Sequence, residues 1–148
     1  MAATLELADA DPVSAILTWL QKHTRVTDAL GGPGRVSGIA EAPWPHLRVA
    51  HGPGGDMRTL TWATQPEVTL EVYGDPGGWP GQAELRRIIL VCAAAVTELP
   101  DTPHIPGQPV ISGVRSSGTL LWSPLVDGQP RWLLGLLVTL HPQARAGP

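Results

Sequence analysis

The sequence predicts an α+β protein with a mostly antiparallel sheet of about four or five strands and two main helices packed on one face. Two segments repeat apolar residues at the spacing of a helix, whereas later segments alternate apolar and polar residues as strands do. The links between the last strands have hairpin length, which favours antiparallel pairing. A chain of 148 residues is long enough to bury one core, so we expect a single domain.

The first helix is predicted over about residues 12–23. Asp11 precedes Pro12, a pair typical of an N-cap followed by the first helical position. Residues 26–30 are expected to add one short turn before a glycine-rich break, and residues 35–39 to form a short strand. The apolar face of the helix consists of Val13, Ile16, Leu17 and Leu20.

Two strands are predicted in the middle of the chain, at residues 45–50 and 67–73, because apolar and polar residues alternate there. The segment 51–58 contains several glycines and is predicted to be a mobile loop. Glu67 and Glu71 share one side of the second strand. We therefore expect that strand to have one apolar face and one solvated acidic face.

The clearest helical pattern follows Pro80 and ends at Pro100. Two further strands are predicted at residues 110–122 and 131–141, with a turn at residues 127–130 before the last strand. Ordered structure is expected over about residues 8–142, with flexible tails at residues 1–7 and 143–148. The apolar stripe of the helix consists of Leu85, Ile88, Ile89, Cys92, Val96 and Leu99.

The last strand is apolar on both faces, which an antiparallel sheet covered by helices on one side does not require. Leu133 and Leu137 lie on the second face, which must be covered by a loop, a helix edge or another subunit. We hypothesise that Trp132, Leu133 and Leu137 contribute to a subunit interface. Several of the six tryptophans adjoin prolines or loops and are equally compatible with partner contacts and with packing inside one protomer: Trp19, Trp44, Trp62, Trp79, Trp122 and Trp132.

Composition excludes several classes of function. The net charge is -3, so the chain lacks the clustered bases that broad nucleic-acid binding requires. It has no apolar run long enough to span a membrane, and the first residues carry acids where a secretory signal carries bases. We therefore expect a soluble protein that is made in a cytoplasm and has no membrane partner.

Residues that carry chemistry do not form a recognisable catalytic pattern. The glycines of 31–38 follow a helix and lack a neighbouring Gly-Lys-Ser/Thr, so a turn is favoured over a phosphate site. Ser116 and Ser117 lie outside a nucleophile elbow, and Cys92 lies on the apolar stripe of a helix. We expect no catalytic residue, metal or cofactor. The histidines lack paired-ligand spacing on a helix: His23, His46, His51, His104 and His141.

A series of short segments gives the chain a family resemblance over about residues 8–142. The segments, individually weak but specific in their order and spacing, are Ala10–Val13, Leu30–Gly38, Trp44–Val49, Pro66–Val68, Gly81–Arg87, Glu98–Asp101 and Leu140–Pro142. In these the chain resembles the tail terminator proteins of long-tailed, siphovirus-type phages that infect actinobacteria.

The resemblance implies a non-enzymatic virion protein that forms a homohexameric ring at the junction of tail and neck after assembly in the host cytoplasm. The ring would cap the tail tube, stop its polymerisation and offer a joining surface to the head connector. Its implied partners are other copies of itself, the major tail tube protein and the head-closure or connector protein, with genomic DNA passing through unbound. Another neck component, either head-closure or tail-completion, remains open, as does a small enzyme or ligand-binding protein.

The same resemblance suggests roles for two groups of residues. Met57, Arg58 and Trp62, in the glycine-rich segment 51–62, are expected to contact the tube or the connector. Glu67 and Glu71 are expected to face the channel, where like charge would keep DNA from adhering as it passes.

Overall fold

The computed structural model describes residues 10–56, 63–103 and 108–141. These residues form a mixed α+β fold, which confirms the predicted class. The helices are α1 (Pro12–Lys22), α2 (Thr24–Leu30) and α3 (Gln82–Val96), followed by a short 3-10 helix (Leu99–Asp101). The strands are β1 (Val36–Ser37), β2 (His46–Asp56), β3 (Gln65–Tyr73), β4 (Val110–Trp122) and β5 (Arg131–His141).

The strands form one five-stranded sheet in the order β1-β2-β3-β5-β4. Strand β1 is parallel to β2, and every other neighbouring pair is antiparallel. The last strand therefore lies inside the sheet, between β3 and β4. Among the described strands, β1 and β4 form the two edges, at opposite sides of the sheet.

The helices and one face of the sheet enclose a continuous apolar core. Ile16 and Leu20 of α1, and Ile89 of α3, are completely buried. Each such side chain contributes roughly 1.5–3 kcal/mol by leaving water. On the sheet, the same core receives Leu47, Val49, Val68, Leu70, Val72, Leu134, Leu136, Val138 and Leu140.

The ends of the first two helices follow from local chemistry. The side chain of Asp11 accepts a hydrogen bond of 2.9 Å from the backbone N–H of Val13, as its N-cap position predicts. Helix α2 is a separate helix rather than one added turn, and it begins directly after His23. Gly31, at φ 92°, ends α2 in the left-handed conformation that glycine adopts without strain.

The prediction of a loop at residues 51–58 is wrong for its first part, because β2 continues to Asp56. His51 pairs with Val68, and Gly55 pairs with Pro66 after a shift in register. The glycines that suggested a loop make room for a neighbour, since a Cβ atom on Gly52 would collide with the side chain of Glu67. Strand β1 is also shorter than predicted and covers two residues.

Candidate subunit interface

Strand β5 places alternate side chains on opposite faces of the sheet. Leu133 and Leu137 lie on the face opposite the helices, here called the far face, and both are half-buried. Neighbouring side chains of the same chain thus cover part of both leucines. The far face therefore exposes less apolar surface than the sequence predicts, but some of it remains exposed. The other set faces the helices and is buried: Trp132, Leu134, Leu136, Val138 and Leu140.

The predicted place of Trp132 in a subunit interface is wrong. Its side chain lies on the helix-covered face and is only 8% exposed. The indole N–H donates a hydrogen bond of 3.0 Å to the backbone carbonyl of Gln82, and the ring packs against Trp122 with centroids 5.4 Å apart. Adjacent residues of a strand point to opposite faces, so Trp132 cannot share a surface with Leu133.

Two rows of cross-strand neighbours define the apolar part of the far face. Leu133 lies between Glu71 of β3 and Leu121 of β4, and the Leu121 side chain is 51% exposed at the sheet edge. Leu137 lies between Glu67 and Arg115. The first row therefore opens an apolar surface toward β4, whereas the second is flanked by one acid and one base.

Gly135 separates these two rows and is buried. A Cβ atom at this position would overlap the hydroxyl oxygen of Ser117 and lie 3.3 Å from a carboxylate oxygen of Glu67. Ser117 belongs to the irregular part of β4 between Ser116 and Leu120. The glycine in the middle of the last strand is therefore a packing requirement of the far face.

Glu71 is not a solvated acid, contrary to the sequence prediction. The residue is 9% exposed, its carboxylate forms an ion pair with Arg48 on the neighbouring strand, and it accepts a hydrogen bond of 3.1 Å from the Tyr73 hydroxyl. The hydrogen bond to Glu71 holds the pKa of Arg48 above its ordinary value. Because its charge is compensated inside the sheet, Glu71 is unsuited to repel DNA.

Glu67 shares the far face with Glu71, as predicted, and is half-buried. Its side chain lies against Gly52, where the missing Cβ atom leaves it room. Within the described ranges, no ion pair to Glu67 is found. The residues predicted to contact the tube or connector, Met57, Arg58 and Trp62, lie outside the described residues.

Apart from Trp79, the sequence reasoning did not single out the apolar residues that the fold leaves exposed. Val110 and Leu121 are exposed on β4, and Val126 is fully exposed in the turn that follows it. Ile39, after β1, is 59% exposed, and Trp79 is 54% exposed. A single apolar residue in a turn carries no periodic signal, so only the fold reveals that Ile39 and Val126 are exposed.

One pair of side chains resembles part of a hydrolytic site but has a structural role. The Ser37 hydroxyl oxygen lies 2.8 Å from Nε2 of His46, and it also donates a hydrogen bond of 2.8 Å to the Ile39 carbonyl. Because the hydroxyl proton is donated to Ile39, it is not available for transfer to His46. Nδ1 of His46 is buried without a partner, so the site lacks the third group that would orient a catalytic histidine. Burial lowers the pKa of His46.

Cys92 is buried in the core, and burial raises the pKa of its thiol to about 12, so the reactive thiolate is absent at neutral pH. Among the described residues, no group of three or more histidine, cysteine or carboxylate side chains is placed to hold a metal ion. Within the same residues, no helix combines the length and apolarity needed to cross a membrane.

Comparison with known proteins reveals a similarity of fold but no match in sequence. No family model and no curated protein match the sequence. Among solved structures, the chain is similar to a chain described as the virion of a native gene transfer agent particle, with a TM-score of 0.68 at 12% sequence identity. The match covers 90% of this chain and 96% of that chain. The chain thus has the fold of a virion particle protein over nearly the whole length of both.

Proposed function

We propose that the protein is a structural virion component, and specifically a tail terminator that forms a homohexameric ring on the tail tube. The observation that carries this proposal is the fold likeness to a chain of a virion particle, which extends over 90% of this chain. The segments that resemble tail terminators, from Ala10–Val13 to Leu140–Pro142, support the more specific role. The ring stops tube polymerisation and presents a joining surface to the head connector at the tail-neck junction.

The geometry of the sheet is consistent with assembly into a ring. A protein that assembles into a ring needs surfaces that are apolar enough to be buried between subunits. The same surfaces must be small enough for a free subunit to expose them to water. Leu133 and Leu137 on the far face meet that condition because both are only half-buried. They remain the proposed interface residues, whereas Trp132 belongs to the core.

The passage of DNA through the ring requires a channel wall that does not bind phosphate. Glu67 remains the proposed channel-facing acid, since no ion pair compensates it within the described residues. Glu71 is withdrawn from this role because it is paired with Arg48. Conversion of Glu67 to lysine is expected to slow DNA passage through assembled particles, while Glu67→Gln should have a smaller effect.

An assay of tube polymerisation distinguishes a tail terminator from other neck proteins. Purified protein added to polymerising major tail tube protein is expected to shorten the tubes and to cap one end of each, as seen by negative-stain electron microscopy. Leu137→Asp, which is expected to fold but not to assemble, is the matched control and should leave tube length unchanged.

Two results would contradict the terminator role. Tubes of unchanged length, with the protein bound to connector rings instead, would favour a head-closure or tail-completion protein. A monomer that binds neither tubes nor connectors, and melts at a higher temperature with a small molecule, would favour an enzyme or ligand-binding protein.

A further inference from the structure

A groove lies between the end of α2 and the start of α3. It has a volume of about 310 Å³, and its walls include Trp44, Trp79 and Glu84. The Trp79 side chain is 54% exposed, so a large aromatic surface is open to a ligand. We call this site the Trp79 groove. Because α2 and α3 bound it, the groove belongs to the helix layer and is separate from Leu133 and Leu137 on the far face.

The two tryptophans of the groove differ from those that pack inside the fold. The indole N–H groups of Trp19 and Trp132 donate hydrogen bonds to backbone carbonyls of the chain. The indole N–H groups of Trp44 and Trp79 have no acceptor among the described residues. A tryptophan with an open ring face and an unused N–H suits a ligand that brings carbonyl oxygens, as a peptide backbone does.

Glu84 is the acidic residue of the groove wall. It accepts hydrogen bonds from Arg87, one turn further along α3, and these hold the pKa of Glu84 below its ordinary value. The carboxylate can accept a second guanidinium, because a carboxylate has about four acceptor sites. Arg35, the base in the groove wall, already donates hydrogen bonds of 2.9 and 2.6 Å to the carbonyls of Leu30 and Trp44. The groove thus combines an exposed indole with a carboxylate, a pairing that recognises an arginine side chain.

We propose that Arg145 of one copy of this chain binds in the Trp79 groove of a neighbouring copy, with its guanidinium stacked on the indole and paired with Glu84. Arg145 belongs to residues 142–148, here called the tail segment, which lie outside the described residues and have the sequence Pro-Gln-Ala-Arg-Ala-Gly-Pro. Arg145 is the one charged residue of that sequence, and the alanines on either side of it are small enough to let the backbone approach the groove. The contact rests on the proposed function, since it links successive copies of a ring.

Covalent geometry excludes the groove of the same copy. The groove lies near the start of β5, because Trp79 and Pro130 both lie beside Gly74. The last residue of β5, His141, is roughly 33 Å from the first when the strand rises by about 3.3 Å per residue. The four residues that follow His141 span at most about 14 Å. Arg145 therefore reaches a Trp79 groove only on another copy.

The contact is compatible with the far-face interface. The tail segment follows β5 at one end of the sheet, whereas the groove lies near the other end and in the helix layer, so neither Leu133 nor Leu137 takes part. A contact between two different surfaces can repeat from each copy to the next, as a closed ring requires. Because the far face already holds the two copies together, a weak contact of the tail segment is sufficient.

Paired cysteines that leave Arg145 and Glu84 in place test this contact. Ala29 lines the groove, so in the variant Ala29→Cys/Ala146→Cys a short bis-maleimide is expected to give a covalent ladder from dimer to hexamer on denaturing gels. The native cysteine is buried and does not react. The matched control is Lys22→Cys/Ala146→Cys, which should give no ladder because Lys22 is exposed near the other end of α3.

Two substitutions in the Ala29→Cys/Ala146→Cys protein test the chemistry of the contact. Arg145→Glu is expected to lower the yield of the ladder at least about fivefold, and the additional change Glu84→Arg should restore it. Trp79→Ala should lower the yield by a similar factor. Because Trp79 is exposed, that variant should retain native circular dichroism.

The experiment is run on the protein alone and again with tube protein present. A ladder that persists in Arg145→Glu or in Trp79→Ala would overturn the assignment to the groove. A product linked within one chain, or no ladder under both conditions, would also overturn it. The tube-length assay with the unmodified protein is scored separately. Protein that shortens tubes without a ladder refutes the tail contact and leaves the terminator role intact, whereas a ladder from protein that leaves tubes unchanged supports the contact and refutes that role.

Discussion

Arg48 and Glu71 form an ion pair directly across the β2–β3 ladder, on the far face of the sheet. The pair turns what looks like an acidic surface in the sequence into a compensated one. Tyr73, which donates a hydrogen bond to the same carboxylate, lies under the Arg131 guanidinium at 5.9 Å from the ring centroid. Glu71 and its polar neighbours on the far face are therefore paired with one another.

Replacement of Glu71 by glutamine is expected to destabilise the fold by about 1–2 kcal/mol, because Arg48 loses its charged acceptor in a partly buried position. Urea unfolding followed by circular dichroism measures the change. Glu67→Gln is the control, and it should change the free energy of unfolding by less than about 0.5 kcal/mol because no ion pair is lost. Equal effects of the two variants would show that the Arg48 pair adds no stability.

Ile89 and Leu137 are expected to respond differently to the same substitution. Ile89 is completely buried, and a carboxylate there costs several kcal/mol, comparable to the whole stability of a domain at about 5–15 kcal/mol. Ile89→Asp should therefore yield unfolded protein by circular dichroism. Leu137→Asp should retain native circular dichroism and lose oligomers in light scattering. An unfolded Leu137→Asp variant would contradict the division between core and interface.

Gly135→Ala is expected to destabilise the fold by about 1–3 kcal/mol, because the added methyl group overlaps the Ser117 hydroxyl. The second substitution Ser117→Gly should restore much of the loss by removing that hydroxyl. Gly38→Ala is the control, since nothing lies near its Cβ position, and it should be close to neutral. Thermal unfolding of the four proteins checks the expectation, and no rescue by Ser117→Gly would refute the packing explanation.

The buried His46 is expected to make stability depend on pH. In the folded state, burial lowers the pKa of His46 below its ordinary value of 6.5. The unfolded chain therefore binds the proton more readily than the folded chain. The stability is therefore complete above about pH 6.5 and decreases as the pH falls below that value. Urea unfolding at pH 7.5 and 5.5 should show this decrease, and His46→Gln should reduce it. An unchanged pH dependence in His46→Gln would assign the effect to other groups.

Periodicity alone located most elements. The predicted bounds of β4 and β5 agree with the structure, and α1 ends within one residue of its predicted end. These segments have strong apolar repeats between proline or glycine breaks. The central glycines misled the prediction, because they indicate a turn in sequence, whereas in the fold β2 continues through them and Gly52 accommodates Glu67.

The sequence by itself determined the α+β class, the apolar faces of α1, α3 and β3, and the excess of apolar residues in β5. These properties are local, since they depend on the spacing of side chains along one segment. Only the tertiary structure decided that β5 lies between β3 and β4, that Glu71 is neutralised by Arg48, and that Trp132 lies in the core. Those properties depend on which distant segments become neighbours, and periodicity within one segment contains no information about its partner.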